Sequence, residues 1–262
     1  MSVLQANEIQ LWLVEDQSVM DPEILANYQS LLSKDEQQRY ERLLFPQHKK
    51  QFLVSRALLR CVLADSLGLA PQKLVFAKNA YGKPRLAMSP LPDSLAFNLS
   101  HTNQLSVLAL TRRGDIGVDV EYLTRKVDIL KLAQRYFSQQ EIEDLQALET
   151  GELNQRFFDL WTLKEAYIKA CGMGLAIPLK DFSFAFSDAQ IQLSFSEERE
   201  DDPEHWQFWQ YCFKQQFQLA LALRQSARSQ EQSLSLFTGI PMQGFAPCEI
   251  ECLRSMQVAS GE

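Results

Sequence analysis

Apolar and polar positions first organise the chain between Phe157 and Leu175. Fifteen residues from Phe157 to Cys171 contain no Gly or Pro, and Gly172, Gly174 and Pro178 follow. The run is rich in Leu, Ala, Lys and Glu, so it predicts one helix with a firm stop. At 100° per residue, Phe157, Leu160, Trp161, Leu163, Tyr167, Ile168 and Cys171 form a broad apolar arc, and Thr162, Glu165 and Lys169 share the remaining side. One carboxylate and one ammonium therefore leave the helix together. An exposed pair of this kind is worth only roughly 0.3 kcal/mol to a helix. The surrounding aromatic bulk and the Gly-x-Gly turn argue for more than that here.

A period of two marks Ile116–Glu121 as a strand. Alternation puts Ile116, Val118 and Val120 on one face, expected to be buried, and Asp119 and Glu121 together on the other, expected to be wet. An acidic pair two residues apart is weak evidence by itself. Joined to Glu165 it proposes three carboxylates for a hard divalent cation, Mg²⁺ before others.

The pattern also repeats. Ser33-Lys34-Asp35-Glu36 and Ser138-Gln139-Gln140-Glu141 both read as capping boxes at helix starts, and second helices end at SLGLA (66–70) and GMGLA (172–176). A Pro follows each, then strand-like LVFA or FSFAF; further strand pattern spans 96–111 in one half and 205–223 in the other. Each half opens on a strand, IQLWLVE near residue 9 and IGVDVE at 116. Both halves thus read strand, helix, helix, then about three strands. The expected fold is α+β: two similar subdomains related by a pseudo-two-fold, each with a small, mostly antiparallel sheet packed on a long helix, with a site in the cleft between them.

Composition narrows the class. With 262 residues, 46% hydrophobic and 23% charged, the chain can bury a substantial core and is an ordinary soluble type. No apolar run reaches the roughly 20 residues of a membrane span, and the N-terminus lacks a secretory pattern, so a cytoplasmic protein without membrane contact is expected. Five scattered cysteines give no disulfide framework; Cys61 and Cys171 are expected to be buried thiols, and Cys248 and Cys252 have no histidine nearby for a metal. A net charge of −7 argues against nucleic acid. Locally the sign reverses: Arg39, Arg42, Lys49, Lys50, Arg56 and Arg60 face one acid, Glu41, a patch suited to a small polyanion. Arg56 stands out because it sits inside the apolar pattern FLVSRALLRCVLADSLGL, where an unpaired guanidinium is costly.

GVDVE at 117–121 and F-x-x-x-W-T-x-K-E-A-Y-x-K-x-x-G-x-G-L at 157–175, with FNLSHT (97–102) and YGKP (81–84), resemble the signatures of the 4′-phosphopantetheinyl transferases, the longer Sfp type in particular. The resemblance covers roughly residues 30–190. It implies an enzyme that moves the 4′-phosphopantetheine arm of coenzyme A onto a serine of an apo carrier protein, acyl or peptidyl, and releases 3′,5′-ADP. It also implies a monomer carrying both units in one chain: 1–112 anchoring the phosphates of coenzyme A, 113–225 bearing the metal and the catalytic helix, and 226–262 a tail or strap matching nothing in the family. Asp119, Glu121 and Glu165 match the family's metal ligands, for Mg²⁺ or alternatively Mn²⁺. Glu165, directly or through a water on the metal, is the implied base, and Lys169 neutralises or protonates the departing phosphate. Asp119, Glu165 and Lys169 are thus the implied catalytic group. Arg39, Arg56, Lys83, Ser100, His101 and Lys169 are the implied contacts to coenzyme A.

Three positions depart from the family or are left open. Glu36 stands where some relatives carry a basic phosphate contact, Val120 is aliphatic between the two acids, and Lys164 points into the apolar arc, either to snorkel or to pair with a buried acid. A coenzyme A or nucleotide binder that has lost catalysis, and a metal-dependent pyrophosphatase, are the competing functions. Which carrier and pathway are served, among fatty acid, polyketide and nonribosomal peptide biosynthesis, is not legible in one sequence.

Overall fold

A computed structural model of the protein describes residues 4–87, 95–225 and 232–256. The chain is α+β and divides into two compact units. The first runs to Lys78, continues over Pro84–Arg113 and adds Gln232–Glu249; the second holds Asn79–Lys83, the chain from Gly114 to Glu231, and the chain from Ile250 on.

The first unit runs β1 (Glu8–Glu15), α1 (Pro22–Ser30), α2 (Lys34–Glu41), α3 (Pro46–Leu67), β2 (Phe76–Lys78), β3 (Pro84–Leu86), β4 (Ala96–Thr102) and β5 (Leu105–Thr111). The second runs β6 (Asp115–Tyr122), α4 (Ile129–Tyr136), α5 (Gln139–Gln146), α6 (Thr150–Cys171), β7 (Phe182–Ser187), β8 (Gln190–Phe195), β9 (Trp206–Phe213) and β10 (Phe217–Arg224). The order of elements is the same in both: one strand, three helices, four strands. The repeat legible in the sequence is therefore real, but each copy has one more short helix, α1 or α4, than the pattern predicted.

Local chemistry explains the helix ends. Ser33 Oγ accepts from Glu36 N at 3.3 Å and Glu36 Oε2 accepts from Ser33 N at 2.9 Å, so α2 starts on a reciprocal capping box. Ser138 and Glu141 do the same for α5 at 3.3 and 3.0 Å. The long helices α3 and α6 are 22 residues each, and each stops where a glycine takes a left-handed conformation, Gly68 at φ 64° and Gly172 at φ 71°. Helix α6 begins seven residues before the predicted start, at Thr150.

The described part of the 226–262 stretch, expected as a tail or strap, is built into the sheets. Residues 226–231 and 257–262 lie outside the described residues, but β11 (Ser233–Ile240), β12 (Gly244–Pro247) and β13 (Glu251–Ser255) are strands of the two sheets. The first sheet has the order β12-β11-β1-β5-β4, with β11 parallel to β1 from Glu8↔Ser233 onward. The second has the order β6-β10-β9-β13-β8-β7, so β13 bridges β9 and β8 in its middle. Arg254 of β13 donates from Nη1 to Asp159 Oδ2 at 3.1 Å and to Gln210 Oε1 at 3.0 Å, anchoring the strand on α6 and β9.

In the first unit, α3 packs on β1, β4 and β5 over a core that includes Trp12, Val54, Leu58, Leu108 and Leu110. In the second, α6 packs on β6 and β10. Phe157, Leu160, Leu163 and Tyr167 of its apolar arc are all within 1% of complete burial. Burying side chains of this size contributes roughly 1.5–3 kcal/mol each, which fixes α6 on its sheet. The helix can then present Glu165 and Lys169 at a defined height above β6.

Candidate active site

The acidic face of β6 is the helix-facing one. A Cβ built on Gly117 would lie 2.0 Å from the Ala166 carbonyl oxygen and 2.4 Å from Ala170 N. Gly117, Asp119 and Glu121 share a face by alternation, so the missing side chain at 117 is what lets α6 close on the strand. Asp119 is consequently 5% exposed rather than wet, and Glu121 is half-buried. Ile116, Val118 and Val120 on the other face are buried as expected.

The close approach brings Asp119, Glu121, Glu165 and Lys169 into one electrostatic cluster. Lys169 Nζ donates to Asp119 Oδ1 at 2.5 Å. Burial, then the Asp119 charge, raises the Glu165 carboxyl to about 7; Glu121 adds to the rise and Lys169 opposes it. Glu121 is raised by burial and Asp119, against Arg125 and Lys169. Arg125 Nη1 donates to both Glu121 oxygens at 3.2 Å from an exposed position. The donor chemistry, three neighbouring carboxylates of which Glu121 and Glu165 are raised by burial and by the Asp119 charge, fits a hard cation. Among the described residues, however, no three His, Cys, Asp or Glu side chains are gathered tightly enough to enclose an ion; the positive charge beside Asp119 is the Lys169 ammonium.

The first unit carries a basic cleft of about 460 Å³ whose lining includes Ser33, Glu36, Arg39, Arg56, Arg60 and Lys78. Glu36 is committed to structure. Beyond its cap, it takes Arg60 Nη2 at 2.7 Å and Nε at 2.9 Å, while Arg60 Nη1 donates to the carbonyls of Pro71 and Leu74 at 2.9 and 3.2 Å. Arg60, 1% exposed, is thus the buried guanidinium of the apolar pattern, where the sequence had pointed to Arg56. Arg56 is half-buried, 3.8 Å from Glu36, and its Nε is buried with no hydrogen-bond partner among the described residues. Burial lowers its affinity for a proton, with Arg39 and Arg60 pushing the same way and Glu36 opposing. A cation so held invites an anion. Arg39 is exposed on the same cleft, over the Phe52 ring.

The remaining implied contacts diverge. Ser100 is buried and His101 exposed on β4, opposite Val107 and Ser106. Lys83 is half-buried: its ammonium donates to the Ile116 carbonyl at 3.1 Å and the Ala170 carbonyl at 2.9 Å, inside the second unit. Lys164 pairs rather than snorkels, 2.8 Å from Glu141 Oε2 and fully buried. Cys61 is buried, Cys171 half-buried, and neither forms a disulfide.

The repeat shows why only one copy bears the cluster. The fifth and seventh residues of β6 are Asp119 and Glu121; those of β1 are Trp12 and Val14. Seven residues before the terminating glycine stands Glu165 in α6 (172 − 165) and Cys61 in α3 (68 − 61). Trp12, Val14 and Cys61 all belong to the first unit's apolar core. Sequence reasoning missed Gly117 and Arg125 and placed Arg60 in the basic patch without its buried partner; aligning the two copies would have found Arg60 opposite Lys164.

Comparison with known proteins matches these units. A 4′-phosphopantetheinyl transferase superfamily model covers residues 115–222, and a 4′-phosphopantetheinyl transferase N-terminal model covers 21–113. A putative 4′-phosphopantetheinyl transferase of Synechocystis is 39% identical over 64% of this chain and 66% of its own length. HetI, a 4′-phosphopantetheinyl transferase of Nostoc, is 38% identical over 66% of this chain and 72% of its own. The 4′-phosphopantetheinyl transferase Sfp of Bacillus subtilis is 31% identical over 63% of this chain and 72% of its own. A solved holo-[acyl-carrier-protein] synthase of Thermotoga maritima overlaps 43% of this chain and 64% of its own at a TM-score of 0.36 and 21% identity, a likeness too partial to bear on the site. On its sequence relatives and its family models, the chain belongs to the 4′-phosphopantetheinyl transferase superfamily, in the Sfp-type branch.

Proposed function

We propose that the chain transfers 4′-phosphopantetheine from coenzyme A to a serine of an apo carrier protein and releases 3′,5′-ADP in a Mg²⁺-dependent reaction. The serine oxygen forms a bond to the β-phosphorus. The bond from that phosphorus to the bridging oxygen breaks, its electron pair stays on the departing 3′,5′-ADP, and the serine proton passes to a base. Glu165 suits the last role by position, a half-buried carboxylate on α6 one turn before Lys169 and within the influence of Asp119. Lys169, held by Asp119, supplies positive charge for the oxygen that leaves. Asp119, Glu121 and Glu165 would hold Mg²⁺, which when bound supplies charge at the pyrophosphate. Arg56 and Arg39 on the basic cleft, with Ser100 and His101 of β4, would hold the phosphates of coenzyme A.

The observation that carries this is the clustering of Asp119, Glu121, Glu165 and Lys169 where Gly117 admits α6. The test is to incubate the protein with coenzyme A, Mg²⁺ and apo carriers, weigh the carriers and assay 3′,5′-ADP. A mass gain of one phosphopantetheine per carrier, matched by the released nucleotide, is expected. Release of the nucleotide without carrier would favour a pyrophosphatase, and coenzyme A binding without either product a binding protein. The natural carrier would be the fastest among acyl and peptidyl carriers. Among the described residues no helix is long and apolar enough to cross a membrane.

A further inference from the structure

Lys83 lies in the turn between β2 and β3, where an exposed lysine beside a phosphate site would be a ligand contact. Its surroundings are different. Its ammonium bridges the carbonyl of Ile116, next to Gly117 on β6, and the carbonyl of Ala170, in the last turn of α6. Asn79 at the same turn donates from Nδ2 to the Gly172 carbonyl at 2.7 Å and accepts at Oδ1 from Tyr81 N and Lys83 N, both at 2.9 Å. A helix C-terminus leaves its last carbonyls without intrahelical partners, and a cation there satisfies them and the dipole together. Two groups of one turn thus cap α6, and one of them also grips β6. Both bonds fall at the contact where Gly117 meets Ala166 and Ala170, two residues along the strand from Asp119 and one along the helix from Lys169.

The geometry points to Lys83 as a positioning residue: it fixes the spacing of β6 and α6, and through it the register of Asp119 and Glu121 against Glu165 and Lys169, instead of binding the phosphates of coenzyme A. This rests on the transferase reading above for its kinetic consequence but not for its structural one. Burial lowers the proton affinity of Lys83, opposed by Asp115 and Cys171.

The test compares wild type with Lys83→Met, Lys83→Arg and Asn79→Ala. Hydrogen exchange is followed by mass spectrometry in the coenzyme-free protein, coenzyme A affinity by calorimetry, and transfer by steady-state kinetics. Positioning predicts at least tenfold faster exchange over residues 116–121 and 165–171 in Lys83→Met, and a kcat at least tenfold lower with the coenzyme A KM and calorimetric affinity within twofold. Lys83→Arg, which can donate to both carbonyls, should restore most of kcat. Asn79→Ala keeps the ammonium but loosens the turn and should show the same split in milder form, which decides the matter if Lys83→Met does not fold. Unchanged exchange, or exchange that rises with both kinetic constants unchanged, overturns the proposal. So does a raised KM with kcat retained, the signature of a phosphate contact. If the wild type transfers to no carrier, the transferase reading fails, and the exchange experiment still decides whether Lys83 sets the strand–helix contact.

Discussion

Lys164 Nζ and Glu141 Oε2 sit 2.8 Å apart with no exposure of either side chain, and the residue that neutralises the lysine is the capping-box glutamate of α5. The lysine also donates to the carbonyls of Leu179 and Phe182, both at 2.6 Å, and Glu141 Oε1 accepts from Phe184 N at 2.9 Å. The first unit repeats the device with Arg60 and the capping-box Glu36. In both copies the cation stands eight residues before the terminating glycine, 172 − 164 and 68 − 60. A buried cation is costly unless every donor is met; here one carboxylate caps a helix, neutralises the charge and joins that helix to the next.

Breaking this pair should therefore unfold rather than inactivate. Lys164→Met alone leaves a buried carboxylate and should cost about 3–5 kcal/mol in urea denaturation, whereas the double change with Glu141→Gln should cost less than the two single changes combined. Additive losses would mean the two residues act independently.

Gly117→Ala should separate fold from function. The new methyl would lie 2.0 Å from a backbone oxygen of α6, so strand and helix must part. A loss of about 1–3 kcal/mol is expected from such overpacking. Transfer should fall by at least a hundredfold while coenzyme A affinity, assigned above mainly to Arg56 and Arg39, stays near that of wild type. Equal losses of affinity and turnover would place the nucleotide against this face of β6.

Glu165 ties stability to pH with an unusual sign. Its carboxyl is raised in the folded chain from 4.5 to about 7, so the folded state favours the proton. Stability from this group is present below about 4.5 and is lost as pH rises to about 7. In metal-free protein, Glu165→Gln should thus be more stable than wild type at pH 8, by at most about 3 kcal/mol, and the gap should narrow to under about 1 kcal/mol by pH 5 and close below the unfolded value. Thermal unfolding across this range checks it; a gap of constant size would show that Glu165 is not strained by ionising.

Arg56→Ala should raise the coenzyme A KM by about tenfold to a hundredfold, the scale of one lost charge-assisted contact, about 1–3 kcal/mol, with kcat little changed. An unchanged KM would leave Arg56 with a role in packing only.

Much of this was legible where chemistry is local. The stop of α6 at Gly172, the boxes at Ser33 and Ser138, and the alternation of β6 need only neighbouring residues. What was not legible depends on distant partners. Ser233 pairs with Glu8 across most of the chain, so β11 read as a polar tail. Lys164 sits on an apolar arc, and nothing local distinguishes a snorkelling stem from one ended by Glu141. Alternation separated the acids from the valines correctly, but Gly117, not polarity, decides that the acidic side faces the helix.

The most direct measurement is side-by-side transfer by wild type and Glu165→Gln to a panel of apo carriers with coenzyme A and Mg²⁺, followed by intact mass. Wild type should add one phosphopantetheine to at least one carrier, and Glu165→Gln should add none while retaining its fold and its coenzyme A affinity. Near-normal transfer by the variant would contradict the role given to the acidic cluster.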